Sequence, residues 1–187
     1  MPGVLGILTA DDVPALPPPA EPILTKEPMW VGQPILAVVS APALGVTYAA
    51  ATTLGAWRYD ANGNARRIAT QRVGERAVRV LGSRSHPSPA LAAFLQRIGP
   101  HELIAMGSSL KICLVAEGNA DIYPRFGPTS EWDTAAAQAV LECAGGCMID
   151  LAGRKLRYNT RDSLLNPHFL AVGDTNRDWL AAIPSET

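Results

Sequence analysis

Two stretches of this chain carry residue types suited to phosphate or metal: Gly107-Ser108-Ser109-Leu110-Lys111 and Thr129-Ser130-Glu131-Trp132-Asp133. Each opens a helical run, the first apolar and the second rich in alanine. A lysine in a first helical turn is electrostatically misplaced, because the exposed amides already give that end a partial positive charge. Lys111 fits there if an anion is held by the amides of Gly107 to Leu110 and the ammonium closes the site. The competing reading is a lysine laid along a helix surface with its ammonium in water. The chain uses thirteen arginines and three lysines, so lysine is the less expected choice at this position. Asp133 reads first as a helix cap, with binding as the second reading. The small residues Thr134 to Ala137 let its helix pack closely and fix the direction of the carboxylate. Arg125, in the rigid loop Tyr123-Pro124-Arg125-Phe126-Gly127-Pro128, either clamps a phosphate bidentately or pairs with a surface acid. His86, in Ser83-Arg84-Ser85-His86-Pro87, reads as a surface or capping residue, with a ligand contact as the alternative. His101 and His168 have no supporting context.

Alternating strands and helices must position these groups. The pattern predicts strands at Ile35–Ser40, Val46–Ala51 and Ala56–Tyr59, the last closing onto the turn Asp60-Ala61-Asn62-Gly63. A strand at Ala77–Leu81 precedes an amphipathic helix over Pro89–Ile98, stopped by Gly99-Pro100. Further strands are expected at Leu103–Met106, Ile122–Tyr123, Met148–Asp150 and Phe169–Val172, and helices at Ser108–Glu117, Thr134–Ala144 and Arg177–Ala182. This alternation argues for an α/β sandwich with a largely parallel sheet. Residues 1 to 31 differ: a short strand at Val4–Leu8, a capped turn at Thr9–Val13, and the extended connector Pro17-Pro18-Pro19. That segment is acidic and the remainder slightly basic.

The bulk numbers narrow the function. With 187 residues, 48% hydrophobic composition and a net charge of -1, the chain reads as a soluble globular protein with no nucleic-acid or anionic-membrane partner. Pro28 to Trp57 contains no charged residue, but Pro34, Pro42, Gly45 and Gly55 interrupt it, so buried strands explain it better than a membrane span. Three cysteines without a secretory signal predict a reducing cytoplasm. Cys143 and Cys147 are separated by Gly145-Gly146, which ends their helix and makes them packing thiols rather than metal ligands.

From about Gly32 to Val172 the chain resembles the bacterial 3'(2'),5'-bisphosphate nucleotidases of the inositol monophosphatase superfamily. The matching stretches are Pro34–Val39 with Ala41-Pro42, Ser83–His86, Gly107–Lys111, Tyr123–Pro128, Glu131–Ala136 and Leu165-Asn166-Pro167. The resemblance implies the C-terminal half of a layered α/β sandwich over residues 32–187, a mostly parallel sheet flanked by helices, preceded by an irregular arm. It implies magnesium-dependent removal of the 3'-phosphate from adenosine 3',5'-bisphosphate by in-line attack of water, in the cytoplasm. By motif, Asp133 would bind metal and substrate, and Ser108, Lys111, Arg125 and His86 would hold the nucleotide and its remaining phosphate.

The family's other metal ligands, a glutamate pair and an Asp-Pro-hydrophobic-Asp-Gly-Thr motif, do not occur in this sequence. Magnesium demands near-octahedral oxygen coordination, so Asp133 alone cannot hold a two-metal centre and impaired turnover is expected. Residues 1 to about 39 instead resemble the α/β hammerhead domain of xanthine dehydrogenase and aldehyde oxidase molybdenum subunits, through Pro2–Pro14 and Val31–Val39. Gly32 to Val39 fits both families, which suggests a fusion or assembly error there. Three readings follow: an impaired nucleotidase, a non-catalytic nucleotide-binding or assembly fragment, and a structural hammerhead fragment. A truncated sandwich would expose an apolar sheet face and self-associate through it.

Overall fold

The computed structural model describes residues 35–82, 88–108 and 110–184. The expectations for the N-terminal arm, including its strand, proline connector and hammerhead resemblance, lie outside these residues, as does His86.

The chain builds two sheets with helices between and beside them. The first is a four-stranded antiparallel meander, β1 (Leu36–Ala41), β2 (Val46–Ala51), β3 (Gly55–Tyr59) and β4 (Ala65–Ile68). Short turns join its strands, and short turns permit only antiparallel pairing. Asp60 shapes the β3–β4 turn, its carboxylate accepting the amides of Asn62 and Asn64 at 2.9 Å.

The second sheet has the order β6-β5-β7-β9-β8, built from β5 (Val78–Gly82), β6 (His101–Ala105), β7 (Ile122–Arg125), β8 (Cys147–Asp150) and β9 (Phe169–Val172). Only β5 with β6 and β5 with β7 are parallel; β9 runs antiparallel to both of its neighbours. The layered α/β architecture holds, but the mostly parallel sheet does not. A helical crossover separates β5 from β6, whereas β8 returns to β9 through an irregular excursion that never crosses the sheet.

Helix α1 (Pro89–Ile98) has the predicted bounds, with Ser88 Oγ accepting the Leu91 amide at 3.1 Å as its cap. Helices α2 (Leu110–Ala116) and α3 (Ala135–Cys143) lie between the sheets. One core joins Ala37, Tyr48, Ala50 and Ala56 of the first sheet to Ile112, Val115, Val140 and Leu141 of the helices and to Tyr123, Phe169 and Ala171 of the second sheet. A second core forms on the opposite face of that sheet, where Val80, Ile122, Leu170 and Val172 meet Phe94, Ile98 and Trp179. Strand β9 is therefore buried on both faces, as an uninterrupted Phe-Leu-Ala-Val run requires. After α3 the chain turns at Gly145 (φ +102), and a Cβ on Gly146 would lie 2.5 Å from the Val172 carbonyl oxygen. The predicted last helix shrinks to a 3-10 turn at Leu180–Ala182.

Among the described residues, the meander has one face on α3 and one with no helix against it. Its register sets Leu36 opposite Ala51, Val38 opposite Ala49 and Ala49 opposite Trp57, on the face away from α3, and neither core includes these residues.

Candidate functional site

Lys111 enters the site from the first turn of α2. It is not a surface lysine: it is only 5% exposed, which removes the reading of an ammonium lying in water along the helix. Nζ donates to the Met106 carbonyl at 3.0 Å and sits 5.0 Å from the centroid of the Tyr123 ring. Burial, helped by the nearby charge of Arg125, lowers its pKa from the ordinary lysine value. Ser108, exposed at φ 67, turns the chain into α2, and its carbonyl accepts the Lys111 amide at 3.3 Å.

Arg125 belongs to a strand and not to a loop, because β7 continues through Pro124. Pro124 has no N–H, and β5 pairs with β7 only at Ile122, so the missing donor falls where that ladder has already ended. Residues two apart on a strand share a face, so Tyr123 and Arg125 point the same way. Arg125 Nη2 donates to the Pro128 carbonyl at 2.8 Å, while Nε is buried without a hydrogen-bond partner. Burial raises the Tyr123 phenol's pKa; the Arg125 guanidinium beside it opposes the rise and the Asp133 charge adds to it.

Asp133 closes a 3-10 turn, Glu131–Asp133, just before α3. Its exposed carboxylate accepts the Ser130 amide at 2.9 Å in a reciprocal capping box, so the cap expected from the sequence is present. Below the turn is a buried polar network. Asn166 Nδ2 donates to the Ser130 carbonyl and to Thr134 Oγ1, both at 2.9 Å, and Tyr158 Oη donates to Gln138 Oε1 and lies 3.2 Å from Thr134 Oγ1. Glu131 is buried, with Oε2 accepting the Asn159 amide at 2.9 Å and Oε1 left without a partner. This network ties the Asp133 turn to the 156–166 segment. Trp132, 71% exposed, stands on the same turn beside Leu164 and Leu165, since the Glu131 amide donates to the Leu164 carbonyl and Ser130 bridges Leu165.

The structure thus gathers Lys111, Arg125 and Asp133 around Tyr123. Sequence reasoning missed Tyr123, Glu131 and Asn166 as contributors. The i, i+2 spacing of Tyr123 and Arg125 would have revealed the first, had the strand been carried through the proline. The cation pair has a chemical consequence. Among the described residues, none of the ion pairs includes Lys111 or Arg125. A buried lysine beside a half-buried arginine with a buried, unused N–H calls for an anionic acceptor.

Among the described residues no three His, Cys, Asp or Glu side chains converge as a metal site. Asp133 therefore contributes one carboxylate, which does not fit a hexacoordinate magnesium centre by itself. No helix among the described residues is long and apolar enough to cross a membrane. Cys113, Cys143 and Cys147 are free thiols, with burial pushing each pKa up.

A sequence model of the inositol monophosphatase family matches residues 30–183. The chain is 47% identical over 138 residues to the 3'(2'),5'-bisphosphate nucleotidase CysQ of Escherichia coli strain K12, covering 74% of this chain and 54% of that protein. Identity to the corresponding nucleotidase of Haemophilus influenzae is 36% over 148 residues, covering 79% and 55%. The crystal structure of CysQ from Bacteroides thetaiotaomicron, a bacterial member of the inositol monophosphatase family, superposes with a TM-score of 0.67 at 35% identity, covering 75% of this chain and 58% of that one. The chain spans about half the length of the curated relatives it matches.

Proposed function

The chain belongs to the inositol monophosphatase family, and from that premise we propose that it carries the phosphate-holding side of a 3'(2'),5'-bisphosphate nucleotidase site, with adenosine 3',5'-bisphosphate as ligand. The observation that carries this reading is the buried Lys111 beside the half-buried Arg125, whose buried Nε is unpartnered. An anion with several acceptor oxygens satisfies both at once, and a planar guanidinium suits phosphate oxygens in particular. In this reading Lys111 and Arg125 hold a phosphate. Ser108 and His86 contact the nucleotide, and Asp133 faces the scissile phosphate.

Turnover is a separate matter. The family's reaction is taken to depend on magnesium, and the described carboxylates do not make a complete donor set. The proposal is therefore a cytoplasmic protein that binds the bisphosphate and hydrolyses it poorly, so non-catalytic nucleotide binding is the second reading. The meander face that no described helix covers would drive self-association of the 32–187 domain.

The test is calorimetry of the full chain with adenosine 3',5'-bisphosphate, together with phosphate release in magnesium. Lys111→Ala should weaken binding about tenfold, the scale of one charge-assisted contact. Unchanged affinity would remove the site assignment. Fast turnover abolished by Asp133→Asn would show that the donor set is complete and the impairment reading wrong.

A further inference from the structure

Tyr123 occupies an unusual position for a core residue. It is 7% exposed, and its ring packs edge-on to Phe169 at 5.9 Å, which fixes it at the centre of the inter-sheet core. The same ring has the Lys111 ammonium over it at 5.0 Å, and its hydroxyl lies beside the Arg125 guanidinium. One buried side chain therefore neighbours both cations, through chemically different ends: the ring under Lys111 and the hydroxyl on the strand face it shares with Arg125. An aromatic face attracts an ammonium, and the attraction strengthens where water is excluded. A phenol oxygen can accept from a guanidinium. Without such a scaffold the two like charges would separate toward solvent, since their neighbourhood raises the energy of each.

We propose that Tyr123 is a positioning residue for the substrate phosphate, its ring setting Lys111 and its hydroxyl setting Arg125 so that both cations converge on one anion. This rests on the phosphate-binding reading above and deepens it. Phosphate recognition would depend on a residue that makes no contact with phosphate. The two ends should also be separable, because phenylalanine keeps the ring and loses only the oxygen.

The experiment measures affinities of the full-length protein and of Tyr123→Phe, Tyr123→Leu and Lys111→Met for adenosine 3',5'-bisphosphate and for uncharged adenosine, with circular dichroism confirming the fold. Tyr123→Phe should lose about threefold and Tyr123→Leu about tenfold in bisphosphate affinity, each with adenosine affinity unchanged. A purely structural role would lower both ligands together, and that result overturns the proposal. So does bisphosphate affinity unchanged in both tyrosine variants while Lys111→Met weakens it, an outcome that leaves the phosphate site standing. Lack of any loss in Lys111→Met, or no wild-type binding at millimolar bisphosphate, overturns the phosphate reading and this proposal with it. Where Tyr123→Leu fails to fold, the Tyr123→Phe selectivity between the two ligands decides alone.

Discussion

Two of the places where the protein buries charge treat it in opposite ways. Around Asp121 the charge is cancelled internally: the fully buried carboxylate takes Arg76 Nη1 at 2.5 Å, Arg79 Nη2 at 2.9 Å and the Arg79 amide at 2.7 Å. Burial raises its pKa, but the hydrogen bonds from Arg76 and Arg79 outweigh that and bring it down to about 2. Around Tyr123, Lys111 and Arg125 are set close together, and among the described residues neither has a carboxylate partner in an ion pair. A buried ion that carries its own counter-charges is a fastener. A buried cation without counter-charge, here Lys111, costs stability, and such a cost is retained where a ligand supplies the missing charge.

The sharpest way to break this comparison is Asp121→Ala. It removes the acceptor of Arg76, Arg79 and the Arg79 amide, and because both guanidiniums reach solvent it should cost about 3 kcal/mol in urea unfolding, the low end for a broken buried pair. The pH dependence has a definite sign. Asp121 has a folded pKa depressed from 3.8 to about 2, so its stabilisation is complete above the unfolded value and is lost as pH falls through about 2. Acid titration of the wild type should show that loss and the variant should not.

The next effect is smaller and tests the polar network. Asn166→Ala removes donors to the Ser130 carbonyl and Thr134 Oγ1, and should cost about 1–3 kcal/mol. Hydrogen exchange should quicken at the amides of Ser130 and Asp133 ahead of Val80 in the sheet. Uniform quickening would mean the network supports the whole fold and not the turn.

Smallest in stability, but opposite in sign to Asp121, is Lys111→Met. Removing a desolvated cation should leave the urea midpoint unchanged or higher. The lowered lysine pKa means that folding disfavours its protonated form, so wild-type stability should rise as pH climbs from the depressed folded value toward 10.5. That rise should vanish in the variant. A destabilisation on the Asp121 scale would erase the distinction between the two regions.

Much of the fold was legible before any coordinates. Helix α1 and strands β2 and β9 have the predicted bounds because caps, breakers and apolar period are set by residues within a few positions of each other. Strand β4 was not foreseen, since Ala65-Arg66-Arg67-Ile68 is too polar to announce itself; Arg66 is held by Glu117 at 2.8 Å, a partner far along the chain. Arg125 was assigned to a loop because a proline normally argues against a strand, and only the position of β5 shows why it is tolerated.

The sequence by itself determined the family, the motif residues Ser108, Lys111, Arg125 and Asp133, and the alternation that makes an α/β fold, because all of these are written in local order and spacing. Tertiary structure decided that Lys111 is buried, that Tyr123 stands between the two cations and that the second sheet is mixed. Burial and charge compensation depend on what the rest of the chain brings alongside, and no local pattern contains that sum.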